Sequence, residues 1–168
     1  SSRPWVTQIS SAPTSAMVAT SSGQSQWSEM TSGSSTPRWR ARPRTRIQPE
    51  DLDACAEAFG VAIGSGDIVL VRTGMMTRCL EQKSWQGYCG GPAPGLSIHC
   101  ARWLYEREIA AVATDTWGVE VRPNETPDCF QPLHMISLRN TGLLLGEIFF
   151  LDALSRACAE DGRYEFLF

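Results

Sequence analysis

Gln131-Pro132-Leu133-His134-Met135-Ile136-Ser137-Leu138-Arg139-Asn140-Thr141-Gly142-Leu143-Leu144-Leu145-Gly146-Glu147 changes its period once. Met135, Leu138 and the stop at Gly142 fit a helical repeat. Leu143, Leu144 and Leu145 then read as a short buried strand. A helix that returns into a strand is the unit of a layered α/β domain. It also brings the start of the helix back to the end of the strand, so His134 and Glu147 are expected side by side. An imidazole and a carboxylate so placed are ordinary ligands for zinc or manganese. The simpler reading is that a lone His at a helix start is a cap and a Glu after an apolar run is merely solvated.

The same alternation runs outward in both directions. Upstream, Pro49, Glu50 and Asp51 suit a first helical turn. Leu52, Cys55 or Ala56, and Phe59 make an apolar stripe that ends at Gly60. Val61-Ala62-Ile63 is a short extended piece. Ile68-Val69-Leu70-Val71 is a β-branched run that reads as a strand buried on both faces. Residues 75–96, with G-G-P-A-P-G at 90–95, read as a long irregular loop; no G-K-[ST] follows, so it is not a phosphate loop. Ser97 caps a helix that buries Cys100, Ala101, Leu104 and Tyr105. Ile109 to Ala113 is a further buried strand; Asp115 after it is a candidate catalytic carboxylate, and the simpler reading is that it caps loop amides at the strand end. A second loop covers 116–131. Downstream, the strand begun at Leu143 is expected to reach Phe150. Leu151, Leu154, Ala157 and Cys158 then define a helix ended by Gly162, and Tyr164 to Phe168 alternates toward a strand. The chain stops there on three apolar residues, which reads as a C-terminal truncation with an open, association-prone edge.

Charge divides the chain. Residues 1–46 hold six Arg and one acid, Glu29, or +5, against –3 for the whole, so the remainder carries –8. The same 46 residues contain twelve Ser, three Trp and no His. They are expected to form a disordered Ser/Arg-rich leader, foreign to the domain at 47–168. Arg38 to Arg46 could serve as a basic arm, but the acidic body argues against a nucleic-acid partner. No apolar run of membrane-spanning length and no secretory signal is present. Cys55, Cys79, Cys89, Cys100, Cys129 and Cys158 form no C-x-x-C pair and read as reduced thiols of a cytoplasmic protein.

G-D-I-V-L-V-R-T-G (66–74), P-G-L-S (94–97), W-L-x-x-R-x-I-A-A-V-A-T-D-T (103–116) and P-L-H-x(12)-G-E (132–147) together resemble the cyclase family. These are metal-dependent hydrolases that include kynurenine formamidase and isatin hydrolase, and the 151–168 segment resembles their longer bacterial branch. The resemblance covers residues 47–168. It implies a swivelling β/β/α fold, incomplete here, with Zn²⁺ or Mn²⁺ at the site. It also implies hydrolysis of a small, often aromatic amide such as N-formylkynurenine; assembly into a homo-oligomer is expected from the open C-terminal edge. His134 and Glu147 match the family's metal ligands, and Trp117 is a candidate wall of the substrate pocket, with ordinary packing as the simpler reading. Members usually carry an upstream H-x-G-T-H-x-D cluster, which residues 1–46 lack. No residue of this chain is therefore assigned as the catalytic proton shuttle, and weak metal binding with impaired activity is expected. The alternative is a non-catalytic remnant of the family that acts by oligomerising or binding partners.

Overall fold

The computed structural model of the chain describes residues 15–20, by their backbone, together with 46–85 and 89–168. Its centre is a five-stranded sheet. The strands are β1 (Ser15–Thr20), β3 (Ile68–Arg72), β5 (Ala111–Thr114), β6 (Leu144–Gly146) and β7 (Glu165–Leu167), and their order across the sheet is β6-β5-β3-β1-β7. Strands β6, β5, β3 and β1 are parallel, and β7 runs antiparallel against β1. A second, two-stranded parallel sheet pairs β2 (Arg46–Ile47) with β4 (Gly95–Leu96).

Helices cover both faces of the larger sheet, and the alternation of side chains along β3 says which goes where. Val69 and Val71 point to a core shared with Leu52, Cys55 and Ala56 of α1 (Pro49–Phe59) and with Cys100, Trp103 and Leu104 of α3 (Cys100–Glu106). α2 (Met75–Gln82) follows β3. Leu70 points the other way, to Leu151 and to Cys158 of α5 (Asp152–Asp161). All three β3 residues are at most 1% exposed, as a run buried on both faces requires.

Local signals account for the helix ends. Gln48 N–H donates to the Asp51 carboxylate at 2.8 Å, and Pro49 opens α1. α1 and α5 stop at Gly60 and Gly162, both with left-handed backbone. α3 ends without glycine because Glu108 itself takes φ +53, and its carbonyl then accepts Gly66 N–H at 2.9 Å.

The structure corrects four expectations. Ser15–Thr20 lies between β3 and β7 in the sheet, so this part of residues 1–46 is not a leader outside the fold; the other residues up to 45 lie outside the described residues. The stretch 75–96 is not wholly irregular. Met75, Met76 and Cys79 bury one face of α2 against Ala93 and Trp117, and Gly95-Leu96 adds a strand. Tyr105, expected on the buried face of α3, is 66% exposed. The strand begun near Leu143 ends at Gly146, and Leu144 is 67% exposed, because β6 is the sheet's edge and Ile148 turns the chain away at φ +60.

All six cysteines are free thiols. Burial pushes the Cys100 thiol up to about 12, and its Sγ sits 3.2 Å from the Ile47 carbonyl, a packing role rather than a reactive one. Among the described residues, no helix is long and apolar enough to cross a membrane.

Candidate metal centre

The parallel strands end on one edge of the sheet, where ligands of open α/β sheets gather. Thr73-Gly74 follows β3, Asp115 follows β5 and Glu147 follows β6. Asp115, 1% exposed, accepts Thr73 N–H at 2.6 Å, the Thr73 hydroxyl at 2.7 Å and Gly74 N–H at 2.8 Å. It ties the β3 loop to the β5 loop, the capping role expected of it. Burial pushes its carboxyl above the ordinary range, against the lowering effect of those three donors.

His134 closes the short helix α4 (Pro132–His134), which continues as a π-helical segment over Met135–Thr141 and ends at Gly142 with φ +69. The return through β6 carries Glu147 back to the imidazole, and His134 Nε2 lies 2.9 Å from Glu147 Oε1. The other ring nitrogen, Nδ1, lies 2.9 Å from Glu120 Oε1.

Glu120 was not among the candidates the sequence suggested. It is 2% exposed, between buried Val119 and Val121. The 119–121 segment is pinned beside β4 by Leu96, whose N–H donates to Val119 O and whose carbonyl accepts Val121 N–H. The one sequence signal for it was an acid inside an apolar V-E-V triplet, where a buried charge demands partners. Those partners are His134, the Leu133 and His134 amides, and Asn124.

Burial of the His134 ring, the largest single influence, opposes its charged form. Hydrogen bonds to Glu120 and Glu147, with their negative charges, outweigh it, and the His134 pKa is raised above its ordinary value. In metal-free protein the resulting stabilisation is fully present below the unfolded pKa, about 6.5. It is lost as pH rises through the raised folded value. Urea midpoints should therefore fall in the wild type as pH rises above about 6.5 and through the raised folded value, and fall less in His134→Gln. Parallel pH profiles for the two proteins would contradict this assignment.

The pair offers two donors of the kinds that divalent cations accept. One imidazole nitrogen and one carboxylate oxygen already stand together, and the ring's far nitrogen is held by a buried carboxylate, the usual companion of a metal-binding His. Among the described residues, no group of three or more potential His, Cys, Asp or Glu ligands forms. Trp117, the third candidate from the sequence, is 8% exposed and packs on Met75, Met76, Cys79 and Ala93. It meets the cluster indirectly. The Arg122 guanidinium stands 5.2 Å from the Trp117 ring centroid and donates to Asn124 Oδ1, and Asn124 Nδ2 donates to Glu120 Oε2 at 3.1 Å.

A parallel α/β sheet with a His–carboxylate pair at its C-terminal edge is the frame of many small-molecule enzymes. The family model described as "Putative cyclase" matches residues 13–121, more than half of the sequence, and the chain belongs to the cyclase family. That match begins before β1, in agreement with its place in the sheet. No curated protein matches the sequence. Among solved structures, a crystal structure described as a novel cyclase superposes with a TM-score of 0.69 at 26% identity, over 94% of this chain and 47% of its own. Isatin hydrolase A from Ralstonia solanacearum superposes at 0.50 and 18% identity, over 73% of this chain and 43% of its own. Isatin hydrolase A from Labrenzia aggregata, bound to benzyl benzoate, gives 0.50 and 20%, over 74% and 43%. The chain thus spans about half the length of the structures it matches.

Proposed function

We propose that this chain is the metal-holding part of a hydrolase that opens the C–N bond of a small amide. The substrate is an aryl formamide of the N-formylkynurenine type or a related cyclic amide, and Zn²⁺ or Mn²⁺ sits at His134 and Glu147. The observation that carries this reading is the 2.9 Å approach of His134 Nε2 to Glu147 Oε1 at the sheet's C-terminal edge. Cyclase-family membership supports it, and the isatin hydrolases show that the same fold occurs in enzymes named for a cyclic-amide substrate.

A bound cation would supply Lewis acidity toward the scissile carbonyl and a more acidic water. The chain's own residues hold and orient. Glu147, with its side chain 35% exposed, leaves the open approach to the site, while Glu120, 3% exposed, closes the opposite side of the ring. An aromatic wall at Trp117 is part of the proposal, and the ring's link to the cluster runs through Arg122. The swivelling β/β/α arrangement, a homo-oligomeric assembly and a cytoplasmic location complete the reading.

Two protein ligands leave most of a coordination shell to water, whereas catalytic zinc normally takes three. Weak binding and slow turnover follow. The absence of a three-ligand group among the described residues also favours a second reading, a non-catalytic family member that acts by assembly. Hydrolysis of N-formylkynurenine with added Zn²⁺ or Mn²⁺, by wild type and His134→Ala, separates the two. Slow, metal-dependent turnover abolished in His134→Ala supports the enzyme. Turnover that is absent at saturating metal, or unchanged in the variant, removes it.

A further inference from the structure

The geometry points to Glu120 as the positioning residue that decides which nitrogen of His134 is free to bind a cation, an inference that rests on the metal site proposed above. Both ring nitrogens face a carboxylate oxygen at 2.9 Å, yet the two carboxylates are not equivalent. Glu120 Oε1 accepts His134 N–H at 3.1 Å as well as facing Nδ1. Its Oε2 accepts Leu133 N–H at 3.2 Å and Asn124 Nδ2–H at 3.1 Å. Asn124 is fixed in turn, since its Oδ1 accepts Gln131 N–H at 3.0 Å and an N–H of Arg122. The Arg122 guanidinium is itself held against Phe130, 4.5 Å from the ring centroid, and against Trp117. Glu147 follows an edge strand, is partly open to solvent, and among the described residues is held by the His134 ring alone.

A neutral imidazole carries one proton, so one of its two carboxylate contacts must set lone pair against lone pair. Glu147 can turn toward solvent. Glu120 cannot turn without stranding the Leu133 and His134 amides and leaving Asn124 Nδ2 with Val121 O alone, in a buried site where each unmade hydrogen bond is costly. The proton therefore stays on Nδ1, and the Nε2 lone pair is directed at Glu147. A divalent cation then replaces a lone-pair clash with two ligand bonds. Asn124 and Arg122 extend this hold from the 119–124 loop to the aromatic ring of Trp117.

Ring ¹⁵N spectra of metal-free protein, recorded above the titration of His134, test the inference directly. The chain has two histidines, so His99→Gln assigns the signals. The wild type is expected to show the Nδ1–H tautomer, and Zn²⁺ should then move the Nε2 resonance. In Glu120→Gln the side-chain amide can donate to Nδ1, which should switch the proton to Nε2 and weaken Zn²⁺ binding by about 10- to 100-fold. A folded Glu120→Gln protein that keeps both the Nδ1–H tautomer and its Zn²⁺ affinity would reduce Glu120 to a cap for the 133–134 amides and overturn the inference. Should that variant fail to fold, Asn124→Ala is expected to shift tautomer and affinity the same way by a smaller amount, and an unchanged tautomer there overturns it as well. A wild type that binds no Zn²⁺ at His134 would defeat the metal site, while its metal-free tautomer would still decide what Glu120 does.

Discussion

Gly95→Ala is expected to destabilise the protein by about 3 kcal/mol or more, at the upper end of overpacking losses. A Cβ at Gly95 would stand 2.5 Å from Val119 O and 2.6 Å from Glu120 O, and closer still to the Glu120 carbonyl carbon. Those are backbone atoms, and they cannot rotate aside as a side chain would. The neighbouring Leu96 clamps the same segment from both of its backbone groups. The strain would thus be delivered to the residue that orients His134. Gly95→Ala should lower the urea midpoint with little change in slope, and should weaken Zn²⁺ binding in whatever fraction still folds. A variant with wild-type stability would mean that β4 and the 119–121 segment lie farther apart than described.

Asp152→Ala should cost a comparable amount, about 3–5 kcal/mol, because it leaves a largely buried guanidinium without its counter-charge. Arg72 Nη2 lies 2.6 Å from Asp152 Oδ1, with the two side chains 17% and 11% exposed. Arg72 Nε donates to the same oxygen at 2.7 Å. The Thr77 hydroxyl accepts from Arg72 Nη2 at 3.1 Å and meets the Asp152 carboxylate at 2.7 and 2.8 Å. Three elements are joined there: the end of β3, the first turn of α2 and the first turn of α5. Replacing both charges, as Arg72→Met with Asp152→Leu, should recover a substantial part of the loss, since the pair's own desolvation cost disappears with it. Equal losses for the single and double variants would show that packing of Asp152, rather than charge balance, holds these elements together.

The sequence made visible whatever is set by short-range pattern. The β3 run is apolar on both faces because helices cover both faces, and its β-branched continuity could be read directly. The glycines at 60, 142 and 162 close helices where the period stops, and each takes the left-handed backbone that glycine favours. The His134–Glu147 approach was legible because a helix and a strand connect the two residues with little chain to spare.

What escaped depends on long-range placement. Glu120 reaches His134 from a loop fourteen residues upstream, and no local period encodes that contact. Helix α2 was hidden by the Gly- and Pro-rich text after it, although Met75, Met76 and Cys79 share one buried face. Leu144 looked like core but stands on an edge strand, which the order of strands decides and hydropathy does not. Ser15–Thr20 was masked by the Ser/Arg composition around it, while its parallel register with β3 is a property of the assembled sheet.

The central claim is that His134 and Glu147 hold one cation between them. Equilibrium dialysis against Zn²⁺, with the wild type beside His134→Ala and Glu147→Gln, tests it most directly. One weak site per chain is expected, lost in His134→Ala and strongly weakened in Glu147→Gln. Zinc bound with the same stoichiometry and affinity in all three proteins would place the metal elsewhere and contradict the account.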